Sequence, residues 1–270
     1  MDRTATVAVV ITVCALISCT ALAQMPGITY ERLLVPVVIS QPLPGAYGSL
    51  WSSALIARND TDADVPTYPI VVTCQVALCP PAQTLAAHRS VDLTNSVIVP
   101  GEAAALLFVE RDQVDNLSFS LRVQDVSRQS LTWGTAVPVV REREYRSSQV
   151  TLIDVPADNR FRNTLRVFDP DGVPNGQVTI SLWRMTEGQY PGSSDQFLGE
   201  NTYALTPPPA GHEWHAPAYL QLSGFSDFGP LNATDRLAVR IKPATAGMRI
   251  WAFDSITNND TQHVTLALPQ

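Results

Sequence analysis

The densest group of chemically capable side chains is His212-Glu213-Trp214-His215. A metalloprotease helix needs two histidines four positions apart on one face, with a glutamate as base. Here the spacing is three and Pro207-Pro208-Pro209 stands just upstream, so no helix would align them. An exposed strand start is the better reading. His88 and His263 are isolated, no G-x-S-x-G elbow occurs, and no Gly-rich phosphate loop is present. The sequence therefore argues against an enzyme and implies no cofactor.

Oxygen ligands are more plentiful. One loop reads Asn59-Asp60-Thr61-Asp62-Ala63-Asp64 and another Asp169-Pro170-Asp171-Gly172-Val173. Calcium takes six to eight oxygens, often from such loops. That makes Asp60, Asp62, Asp64, Asp169 and Asp171 weak calcium candidates. Asn, Asp, Gly and Pro are also what turns demand, and no EF-hand spacing fits, so the turn reading is the stronger. The same argument covers Asn258-Asn259-Asp260-Thr261 beside His263, expected as a hairpin turn. Asn59, Asn116, Asn232 and Asn259 begin N-x-S/T triplets, which matter only in a host that glycosylates them.

Two of the four cysteines, Cys74 and Cys79, lie in VVTCQVALCPP. Five positions apart, they point to opposite faces of a straight strand, so a bridge needs the chain to turn between them. Pro80-Pro81 supplies the break. A local disulfide is expected in an oxidising compartment, with two buried thiols as the alternative.

That compartment is read from MDRTATVAVVITVCALISCTALAQ. Arg3, an apolar run too short to span a bilayer, and Ala21-Leu22-Ala23 have the layout of a secretory signal peptide, 1–23. Leu16-Ile17-Ser18-Cys19 also resembles the bacterial lipobox. Cleavage of 1–18 would make Cys19 the lipidated N-terminus, whereas cleavage after Ala23 would discard it; the sequence leaves both open. Either route implies an exported protein, periplasmic, secreted or at the cell surface, with a lipid anchor in the second case. Nothing later in the chain approaches a transmembrane span. The formal charge of −7 and scattered arginines give no footprint for nucleic acid.

The elements that must carry these residues read as strands. Short Val/Ile/Leu/Thr/aromatic runs, divided by Pro, Gly, Asn and Asp, recur from Leu33–Ile39 to His263–Leu268, with Leu50–Arg58, Phe161–Phe168 and Arg236–Lys242 among them, and the 21 prolines disfavour helices. Internal repetition organises them. SSALIARND at Ser52–Asp60 matches RNTLRVFDP at Arg162–Pro170, 110 positions on. Leu121-Arg122-Val123 matches Val239-Arg240-Ile241, and Trp133 matches Trp251, both at a spacing of 118. The expected fold is all-β: two tandem Ig-like β-sandwich modules, 28–143 and 144–270, after a signal peptide. The run Arg141-Glu142-Arg143-Glu144 is expected as a solvated connector, and Trp133 and Trp251 as equivalent core residues.

The leader, the RNTLRVFDP-like strands and the terminal ITNNDTQHVTL together resemble secreted bacterial proteins built of tandem Ig-like β-sandwich repeats. The resemblance brings no catalytic residue. It implies an exported, non-enzymatic interaction or structural role, with an unknown protein or glycan as ligand. Trp183, Tyr190 and Trp214 are candidates for stacking on sugar rings. The alternatives are a periplasmic pilus-type chaperone, which adds a partner strand at a sheet edge, and, more remotely, a secreted hydrolase.

Overall fold

The computed structural model describes residues 30–39, 41–69, 83–95, 104–128, 133–186, 195–208, 210 and 216–270. The leader with Cys19, the Cys74–Cys79 segment, Tyr190 and His212–His215 lie outside the described residues.

The chain is all-β and sandwich-like, built from antiparallel sheets. Its earlier strands are β1 (Tyr30–Val35), β2 (Leu43–Pro44), β3 (Leu50–Asn59), β4 (Val65–Pro69), β5 (Gln83–Leu85), β6 (Ser90–Asp92), β7 (Ala105–Glu110), β8 (Leu117–Asp125) and β9 (Thr135–Val137). The later ones are β10 (Val150–Pro156), β11 (Phe161–Asp169), β12 (Gln177–Arg184), β13 (Gln196–Ala204), β14 (Ala218–Ser223), β15 (Arg236–Pro243), β16 (Trp251–Asn258) and β17 (Val264–Ala267). No helix of the described residues is long and apolar enough to cross a membrane.

The pairing orders are β1-β7-β4-β5 and β2-β3-β8-β9, with β6 also on β3, then β10-β15-β12-β13 and β14-β11-β16-β17. Among the described residues no sheet mixes early and late strands. The two sets also follow one plan, because β1, β3, β4, β5, β6, β7, β8 and β9 occupy the places of β10 to β17 in turn. Strand alternation explains the filling. On β12, Val178, Ile180 and Leu182 are buried, while Thr179, Ser181 and Trp183 face the other way. Leu33, Leu55, Leu107 and Leu121 centre the first core; Leu152, Leu165, Ile180 and Val239 centre the second. Each such side chain contributes roughly 1.5–3 kcal/mol by burial.

The 110-residue match is a match of place: β3 and β11 are equivalent by pairing. The 118-residue match is not. It aligns β8 with β15, whereas the pairing equivalent of β8 is β16. Leu121 lies opposite Leu55, and Asp254 opposite Leu165, so the equivalent positions are Leu121 and Asp254. A short Val-Arg-Ile-like text recurs on any strand with one buried face, so it identified a pattern and not a place.

The two halves meet through the outward face of the β11–β16 ladder. Phe168, Trp251 and Phe253 are buried together, with ring centroids 5.5–6.4 Å apart, and belong to the apolar cluster of the first half. Thr135 Oγ1 donates to the Val264 carbonyl at 2.6 Å across the same junction. Trp133, expected in the core, is 77 % exposed, with Arg122 5.8 Å over its ring. It precedes a three-residue edge strand, whereas Trp251 opens a central strand.

Candidate functional site

The acidic loops follow equivalent strand ends. Asn59 and Asp169 are each fully buried at the last position of β3 and β11. Asn59 Oδ1 accepts from the Thr61 N–H and hydroxyl, and its Nδ2 donates to the carbonyls of Ala63 and Leu85 at 2.7 and 2.9 Å. Asp169 accepts from the N–H groups of Asp171 and Val173 at 2.9 and 2.7 Å. Burial raises the Asp169 carboxyl above its ordinary range, backbone donors oppose that, and Asp171 adds to it.

The other calcium candidates have protein partners. Asp60 takes Arg58 and the Ser118 hydroxyl, Asp62 meets His88 at 2.8 Å, and Asp64 accepts from the Ala87 N–H. Asp171 takes Arg249 through two nitrogens at 2.7 and 2.8 Å, and also Arg32. Among the described residues no group of three or more His, Cys, Asp or Glu side chains is placed to hold a metal ion.

Arg32 ties the acidic loop of the late half to the connector. It donates to Asp171 Oδ1, to the Pro170 carbonyl and to Glu142 Oε1, and Glu142 also takes Arg111. Burial works against ionisation of Glu142, yet hydrogen bonds from Arg111 and Arg32 leave its carboxyl below the usual range. Burial likewise opposes ionisation of Asp171, and hydrogen bonds from Arg249 and Arg32 outweigh it, leaving its carboxyl below the usual range. Arg141 grips the buried Glu31 carboxylate bidentately at 2.5 and 2.8 Å and reaches Asp115. The connector expected to be solvated is therefore an ionic seam: the Arg141 and Glu142 side chains are 16 % and 17 % exposed, while Arg143 stays at 69 %. Arg141 and Glu142 face the opposite charges of Glu31 and Arg32 on β1, which local text does not reveal.

At the end of the chain, Asn258 Oδ1 accepts from the N–H groups of Asp260 and Thr261, and β16 returns antiparallel as β17. The knot is a turn. With Phe161, Ile256 and Thr265, its Asn258, Thr261 and His263 line a recess of about 430 Å³. A larger cleft of about 900 Å³ adjoins it, with Asp158, Arg162, Asn163, Phe225 and Leu231 in its wall.

The outward face of β10-β15-β12-β13 carries a different chemistry. The Arg240 guanidinium lies 4.2 Å from the Trp183 ring centre, and Phe197, half exposed, meets the same ring edge-on at 5.1 Å. Asp195 holds Arg240 from the side at 3.5 Å. A ring fixed by a cation and a second ring is a preformed stacking surface. Trp183 was readable as a candidate; Phe197 and Arg240 were not, because they come from neighbouring strands far apart in sequence.

The chain matches no protein-family model, no curated protein and no solved structure.

Proposed function

We propose that the protein is an exported, non-enzymatic interaction or structural protein of the bacterial cell surface or periplasm. In this reading a leader, 1–23 or 1–18 with Cys19 lipidated, precedes two β-sandwich modules, 28–143 and 144–270. The module reading is supported by the two separate core clusters and the shared strand order. The likeness to immunoglobulin sandwiches lies in the two-layer architecture. The connectivity differs, since β1 pairs with β7 whereas an immunoglobulin sandwich places its first strand beside its second.

The observation that carries the interaction reading is the Trp183–Arg240–Phe197 stack on a solvent-facing sheet. Aromatic faces flanked by an arginine and by the Ser181 hydroxyl, which accepts from Trp183 Nε1 at 3.3 Å, suit a sugar ring or an aromatic peptide side chain. The test is a glycan array and a pull-down with residues 24–270. A retained ligand that Trp183→Ala releases, with the far-UV circular dichroism unchanged, is the expected result. Retention indifferent to Trp183→Ala would remove this face, and no retained ligand at all would leave only the structural role.

A further inference from the structure

Strand edges are aggregation hazards, and folded proteins shorten, bridge or interrupt them. Most edges here are managed in that way. β2 has two residues, one of them Pro44; β5, β6 and β9 have three; β17 has four. β1 is bridged in both directions at Leu34 by Val140, and β14 at Tyr219 by Thr206. β10 shifts register after Leu152, ends at Pro156, and has its Thr151 carbonyl taken by the Gln270 N–H. β13 is the exception among the described residues. It is nine residues long and pairs only with β12, and beyond a register shift at Leu198 it keeps six residues in unbroken register, Gly199-Glu200-Asn201-Thr202-Tyr203-Ala204, without proline, lysine or arginine.

The hydrogen-bond phase of β13 can be derived. In an antiparallel pair the residues bonded to the partner alternate with residues that point their N–H and C=O away. The Leu205 N–H donates to the Gly176 carbonyl directly opposite, continuing the register of Gln177 with Ala204. Counting back by twos, Gly199, Asn201 and Tyr203 bond to β12. Glu200, Thr202 and Ala204 therefore direct their N–H and C=O groups outward, and their side chains are exposed. The Ala244 N–H on the Gln177 carbonyl gives the same phase from the other side of β12. The inner face of β13 is already covered, because Asn201 and Tyr203 reach Asp227 and Gly199 lies under Phe228.

We infer that β13 is a self-association edge that pairs antiparallel with β13 of a second copy of this chain about a two-fold axis at Thr202. That register brings the outward-bonding residues together: Thr202 faces Thr202, and Glu200 faces Ala204. No charge faces its like, and a Thr–Thr pair is a favourable cross-strand neighbour. A two-fold axis makes the contact isologous and closed, so it yields a dimer and not a fibre. The inference goes beyond the Trp183 face and does not depend on a ligand.

Sedimentation equilibrium of the exported chain over a wide concentration range tests it. The wild type is expected to be a concentration-dependent dimer. Thr202→Lys sets two ammonium groups against each other and is expected to weaken the dimer at least ten-fold. Thr234→Lys, the same exchange on an exposed turn, is expected to leave it unchanged. Independently of any variant, hydrogen exchange of the segment holding Glu200, Thr202 and Ala204 should slow at concentrations where the dimer forms. A wild type that stays monomeric overturns the inference, as does a dimer unaffected by Thr202→Lys or one that leaves those amides unprotected. A monomeric wild type that still retains a Trp183-dependent ligand sinks this pairing and leaves the proposed function standing.

Discussion

Asn59 and Asp169 hold the same place in the two halves and each accepts from the N–H two residues on, yet their second polar atoms meet opposite partners. The Ala63 carbonyl of the loop after β3 and the Leu85 carbonyl of β5 both point toward Asn59, which needs an amide to meet them. The loop after β11 turns two N–H groups toward Asp169, which meets them with two carboxylate oxygens. A neutral amide at one strand end and an acid at the other are each fitted to the backbone groups around them. The inner positions diverge as well. Leu121 in the first core has Asp254 as its counterpart in the second, fully buried and with neither carboxylate oxygen hydrogen-bonded. Burial pushes the Asp254 carboxyl up to about 7, and the charge of Arg166 pulls the other way. One strand plan thus carries a leucine at this position in one core and an acid in the other.

The largest expected effect breaks that fitting at Asn59. Asn59→Asp would place a carboxylate against the Ala63 and Leu85 carbonyls and should cost roughly 3–5 kcal/mol, read as a lowered midpoint in urea at pH 7. Next comes Asp254→Leu, which restores the first half's residue to the second. An acid whose folded pKa is raised stabilises the fold least when ionised, so wild-type stability should fall as pH rises from about 4 through about 7. The shift from 3.8 to about 7 corresponds to a penalty on the order of 4 kcal/mol at alkaline pH. Asp254→Leu should flatten that slope and raise the melting temperature at pH 8; an unaltered pH dependence would show that Asp254 is not its source.

Asp171→Ala removes the shared acceptor of Arg32 and Arg249 and should cost roughly 1–3 kcal/mol. Because the folded pKa values of Asp171 and Glu142 are depressed, their contribution is present above a pH of about 4 and lost as pH falls below it. The variant should therefore lose most at neutral pH and converge on the wild type in acid, and the chain between residues 141 and 146 should become easier to cut by protease. Asp169→Asn, which turns an amide toward the Val173 N–H, should cost roughly 1–2 kcal/mol. The smallest effect is expected from calcium. With Asp60, Asp62, Asp64, Asp169 and Asp171 already engaged by protein donors, a chelator should leave the melting temperature unmoved; a drop would reinstate the loops as cation sites.

Most strands were legible because each keeps one face in a core. Leu50–Arg58, Phe161–Phe168 and Arg236–Lys242 fall within a residue of the observed elements. β13 was not legible. QFLGENTYA lacks the apolar alternation of the strands expected from the sequence, and its pairing with β12 is visible only in three dimensions. Asp254 gave no signal either, since a single acid in a strand ordinarily marks the solvent side. The stacking trio was one-third legible, through Trp183.

What the sequence determined by itself was the class of fold and its punctuation. Period-two hydrophobicity and proline-rich turns leave little choice but antiparallel strands, and Asn or Asp at strand ends announces the turns that follow. What only the tertiary structure decided was partnership. Which strand lies beside which sets whether Arg141 and Glu142 are solvated or buried in a seam, whether a tryptophan plugs a core or stands in water, and which edge stays open. Those outcomes depend on contacts between residues a hundred positions apart, and no local pattern encodes them.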